Sequence, residues 1–104
     1  LALEMAAAGV TAMYPFEVQS GCDVRAVRGR LPGFGVIGAL DKECMARGKA
    51  AIDREMERAR GLIGLGRLVP GPDHFVLSNV TFESYRYFME RLRDVVMTTK
   101  PAAC

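Results

Sequence analysis

Three short apolar runs alternate with three stretches of helical periodicity, and that alternation limits the possible folds more than any other feature of the chain. The runs are Val10-Thr11-Ala12-Met13-Tyr14-Pro15-Phe16, Phe34-Gly35-Val36-Ile37-Gly38-Ala39-Leu40 and the much shorter Leu68-Val69. Being apolar without polar alternation, they read as strands with little solvent on either face. Between the first two, Asp23 is placed to cap a short helix carrying Val24, Val27 and Leu31, stopped by Pro32-Gly33. Asp41 is the expected N-cap of a long helix with the apolar stripe Met45, Ile52, Met56, Ala59 and Ile63, its end marked by Gly61, Gly64 and Gly66. Thr81 opens a last helix in which Tyr85, Phe88, Met89, Leu92, Val95 and Val96 share one face. Parallel neighbours need a covering connection, so strand and helix in alternation predict an α/β fold of three βα units around a parallel sheet.

The ends of the chain carry separate expectations. Leu1 to Gly9 reads as the last turns of a helix closed by Gly9, as if cut from something longer. Pro70 and Pro72 predict that ladder pairing stops after Val69, leaving residues 70–74 as a rigid loop. Residues 1–97 are expected to form the folded portion and 98–104 a flexible tail.

With 104 residues, half of them apolar, the chain can bury one core. Its 14 basic and 12 acidic side chains leave a net charge of +2, too balanced to favour a nucleic-acid or anionic-membrane surface. No apolar stretch approaches the roughly 20 residues of a membrane span, and no secretory leader is recognisable. Cys22, Cys44 and Cys104 are odd in number and far apart, which predicts free thiols and a cytoplasmic setting.

The polar residues at the strand ends are the candidate site. His74, the single histidine, follows the third run beside Asp73; Glu17 follows the first and Asp41 the second. Barrel enzymes assemble their sites from the loops after parallel strands, so these four residues are expected on one rim. An imidazole there can move a proton or hold an anion; Asp41 has the competing duty of a helix cap, and Glu17 has no evident local one. Gly33, Gly35 and Gly38 match a dinucleotide-binding spacing by letter, but they lie within a strand instead of after one, so no cofactor is expected. No cysteine stands at zinc-ligand spacing, and no metal site is expected.

The succession Tyr14-Pro15-Phe16-Glu17-Val18, Gly38-Ala39-Leu40-Asp41-Lys42, Gly48-Lys49-Ala50-Ala51-Ile52, Pro70-Gly71-Pro72-Asp73-His74 and Phe82-Glu83-Ser84-Tyr85 resembles the C-terminal part of the uroporphyrinogen decarboxylase family, most of all its divergent branch related to cobamide-dependent methyltransferases. The likeness runs from about Gly9 to Leu92. It implies the last three units of a (βα)8 barrel, a partial TIM barrel, in an enzyme class that decarboxylates tetrapyrroles or transfers methyl groups. In that family the carboxylate and arginines that hold a porphyrinogen come chiefly from the N-terminal part of the barrel. The chain departs from the pattern in having Ala39 where the family often has Asn, and no cysteine from Gly71 to His74. The resemblance therefore implies pocket positions for Glu17, Asp41, Asp73 and His74 rather than a full catalytic set. Partners follow from the open sheet edges: the missing part of the barrel, or a second copy forming a non-catalytic dimer that binds a small anionic metabolite.

Overall fold

The computed structural model describes residues 1–18 and 21–101. Its elements are α1 (Ala2–Ala7), β1 (Ala12–Phe16), α2 (Val24–Arg30), β2 (Gly35–Leu40), α3 (Cys44–Arg47), α4 (Lys49–Gly64), β3 (Leu68–Pro72) and α5 (Phe82–Thr98). The three strands form one open sheet in the order β1-β2-β3, parallel throughout. This is the expected α/β architecture. Among the described residues, no helix is long and apolar enough to cross a membrane.

Among the described residues, α2, α4 and α5 pack on one side of the sheet. Val24 of α2 and Leu62 of α4 meet Phe16, Val36 and Ala39, with Val27 and Met13 at the margin. Next to this cluster Leu40, Met45, Ile52, Met56, Ala59 and Ile63 pack against Phe88, Leu92 and Val95 of α5. The stripe predicted for the long helix is therefore the core. The stripe of α5 is narrower than predicted, since Met89 and Val96 are 40% and 42% exposed. The opposite face of the sheet carries Ala12, Tyr14, Ile37 and Val69, all exposed. A parallel strand is expected to be covered on both faces, so this bare apolar face is the most informative feature of the fold.

Several local expectations are corrected. Pro70 and Pro72 do not end the pairing of β3, whose register runs Val36↔Leu68 to Leu40↔Pro72. Asp73 N–H donates to the Leu40 carbonyl and Val36 N–H to that of Arg67. Strand alternation therefore turns both proline nitrogens to the outer edge, where no ladder donor is needed. The long helix is broken: Gly48, with φ 98° and ψ −179°, separates α3 from α4 in a backbone state that disfavours any side chain. Asp41 thus precedes a short helix and accepts from the Glu43 N–H in a tight turn instead of capping a long one.

Gly61 lies inside α4, and an ideal Cβ there would be 2.9 Å from the Arg25 guanidinium, so it makes room for a side chain instead of stopping the helix. α5 continues through Thr98, and Arg60 donates to the hydroxyls of Thr98 and Thr99 at 3.1 and 3.0 Å. Of the tail expected from residue 98 onward, residues 102–104, Cys104 among them, lie outside the described residues.

Two caps match their sequence signals. The Asp23 carboxylate accepts from the N–H of Arg25 and Ala26, and the Thr81 hydroxyl from that of Ser84. Cys22 and Cys44 are free thiols. Burial, with Glu55 and Asp41 nearby, pushes the Cys44 thiol up to about 12. A disulfide reagent at pH 8 should therefore leave Cys44 unmodified in the folded chain and modify it in urea; mass spectrometry of the labelled peptides checks this.

Candidate functional site

The carboxyl ends of the three strands are tied together by Asp73. Its side chain is fully buried. One carboxylate oxygen accepts the Val18 N–H after β1 at 2.6 Å, and the other the Lys42 N–H after β2 at 3.0 Å. Because Asp73 itself follows β3, a single side chain fixes the spacing of all three βα loops. Gly38 permits this closeness: at φ +101°, its missing Cβ would lie 3.3 Å from the Asp73 Cα and 3.4 Å from the Pro72 carbonyl.

Above this tie, the Lys42 ammonium meets the Glu17 carboxylate at 3.1 Å, with side chains 11% and 29% exposed. Its hydrogen bond to Glu17 outweighs desolvation and, helped by the charge of Asp73, holds Lys42 above its ordinary ammonium value. Asp41 lies 3.6 Å from Arg47.

Below, a fork from α4 supports the end of β2. Arg58 donates to both oxygens of Glu55 at 2.7 Å and to the Ala39 carbonyl at 2.6 Å, and Glu55 accepts the Asp41 N–H. Ala39 needs that support, being in the left-handed region at φ 68°, which costs a non-glycine residue about 1–3 kcal/mol.

Glu17, Asp41 and Asp73 are thus brought to one rim, though in different roles. Asp73 is a buried structural tie, and Glu17 is the half-exposed partner of Lys42. His74 stands apart: it is exposed, and its ring meets Phe75 edge-on, 5.2 Å between centroids at 81°. Of the four, His74 is the most exposed.

Lys42, Glu55 and Arg58 lie outside the set of rim residues expected from the sequence. For Glu55 a signal was present, because it falls three residues after Ile52 and four before Ala59, on the apolar stripe itself. A carboxylate there must be buried, and a buried carboxylate needs partners. Among the described residues, no group of three or more His, Cys, Asp or Glu side chains is arranged to hold a metal. The chain matches no family model, no curated protein and no solved structure.

Proposed function

We propose that this chain is the C-terminal three-unit part of a uroporphyrinogen decarboxylase-like (βα)8 barrel, contributing a rim to a pocket that other units complete. The observation that carries the reading is the one-sided sheet. Successive right-handed βα units laid side by side put every helix on the outside and leave the inner strand face bare. A doubly wound sheet would carry helices on both faces. Here the strand order is sequential, α2, α4 and α5 share one face, and Ala12, Tyr14, Ile37 and Val69 form the other. Glu17, Lys42, Asp41 and His74 then stand at the carboxyl ends of the strands, where barrel sites are built.

On this reading the rim supplies polar groups to the mouth of the pocket but does not drive decarboxylation or methyl transfer alone. Asp73 and the Glu55–Arg58 fork hold the loops, the Glu17–Lys42 pair presents a fixed charge couple, and His74 is free to meet a substrate. A free-standing module that binds an anion is less well supported, since Lys42, Arg47 and Arg58 each already face a carboxylate.

The test is to mix the purified chain with the N-terminal five units of a decarboxylase of this family and follow carbon dioxide release from uroporphyrinogen. The chain alone should give the rate of buffer, and the mixture a rate that falls on His74→Ala. A mixture that neither associates nor reacts contradicts the reading.

A further inference from the structure

The two ends of the sheet differ in how their cations are met. At the carboxyl ends of the strands Lys42, Arg47 and Arg58 each face a carboxylate. At the amino ends, Arg28 and Arg30 stand in the last turn of α2 and Arg67 just before β3. Among the described residues none of these three forms an ion pair. Arg28 donates to the carbonyls of Leu31, Pro32 and Phe34 in the turn after α2, and to that of Arg67 at 3.2 Å. Its Nε is buried without a partner, alone in this among the side-chain atoms of the described residues. Carbonyl dipoles and a helix C-terminus solvate a cation but bring no full opposite charge. Arg67 is also held in the left-handed region, at φ 51°, a strain that persists where its surroundings enforce it and that clusters at ligand sites.

Two clefts adjoin this cluster. One, of about 580 Å³, has Arg67 in its wall, and the other, of about 320 Å³, has Arg30. Thr11 and Gly33 belong to both, so the clefts meet along a shared wall, and a Cβ at Gly33 would touch nothing within 4 Å. Apart from Arg30 and Thr11 the smaller cleft is apolar, walled by Leu31, Pro32 and Phe34 of the turn that Arg28 holds. We infer that this junction binds an organic phosphate monoester, its phosphate between Arg30 and Arg67 and its apolar body in the smaller cleft. A phosphate brings what the cluster lacks, a charge of about −2 and three strong acceptor oxygens, and guanidinium donors match those oxygens two at a time. The exposed Thr11 hydroxyl is a further donor at the shared wall. A carboxylate carries half the charge and answers three unpaired guanidinium groups less fully. The junction lies at the opposite end of the strands from Glu17 and His74, so the inference is independent of the barrel reading.

Calorimetric titration with phenyl phosphate, with inorganic phosphate and benzoate beside it, tests this. Phenyl phosphate should bind one to one and more tightly than either, and the amide signals of Thr11 and Gly33 should shift as it does. Arg30→Gln and Arg67→Gln should each weaken binding about tenfold or more, the worth of a charge-assisted pair. Both arginines are exposed, so the variants should keep the circular dichroism spectrum of the parent chain. Arg86→Gln, on an arginine paired with Glu90 on α5, should bind as the parent does. Retention on vesicles containing phosphatidic acid, lost in the Arg30 and Arg67 variants, would make the phosphate that of a lipid headgroup; phenyl phosphate binding without such retention would make it that of a soluble ester. No binding at millimolar phenyl phosphate overturns the inference, as does binding that Arg30→Gln and Arg67→Gln leave unchanged, or inorganic phosphate or benzoate binding as tightly as phenyl phosphate. None of these outcomes touches the barrel reading, which is decided by mixing with the N-terminal units.

Discussion

Asp73→Ala is expected to lower the unfolding free energy by about 3–4 kcal/mol, because hydrogen bonds to a charged group contribute about 1.5–3 kcal/mol each and their loss leaves donors unsatisfied. The carboxylate is fully buried and accepts two main-chain N–H groups from different loops, at Val18 and Lys42. Alanine leaves space without an acceptor. Native domains have only about 5–15 kcal/mol to lose, so the urea midpoint should fall steeply and the Val18 and Lys42 amides should exchange first. Asp73→Asn retains one acceptor oxygen and should fall between the two. An unchanged midpoint in Asp73→Ala would mean that the strand ends are held by something else.

Glu55→Ala is the second large effect, at about 2–3 kcal/mol from an orphaned N–H and a cation deprived of its carboxylate. Glu55 is 8% exposed, binds Arg58 with both oxygens and accepts the Asp41 N–H. Its loss also loosens Arg58, which holds the Ala39 carbonyl in its left-handed turn. The damage should therefore extend to the end of β2, visible as faster amide exchange near Asp41 and Lys42. Glu55→Gln keeps an acceptor for Asp41 and should cost less, about 1 kcal/mol. Equal losses in the two variants would show that charge, not the N–H, is what Glu55 supplies.

Much of this fold was legible because its signals are local. Asp23 and Thr81 cap the helices they precede, and the stripe from Met45 to Ile63 is buried as its spacing requires. The failures came where a local signal has two readings that only the neighbours decide. Pro70 and Pro72 forbid pairing in the middle of a sheet but are harmless on an outer edge, and the position of β3 in the sheet is not written at Pro70. Gly48 is a weak helix residue in sequence and a helix break in structure, yet the apolar stripe carries across it and hides the break.

Glu17, Asp41 and Asp73 follow the ends of β1, β2 and β3, as their positions along the chain imply. Role was less legible. The bonds that give Asp73 its duty join residues 55 and 31 positions apart, and the Glu17–Lys42 pair spans 25. Such pairings follow from strand register, which no local pattern states.

The barrel reading depends on a sheet covered on one face only. A soluble paramagnetic agent added to methyl-labelled chain reads that directly, since it broadens exposed methyl signals and spares buried ones. Ile37 and Val69, 37% and 61% exposed, should broaden strongly, while Val36 and Leu40, at 1% and 0%, should keep their intensity. Should Ile37 and Val69 be spared as fully as Val36 and Leu40, the second face would be covered and the one-sided sheet would be wrong.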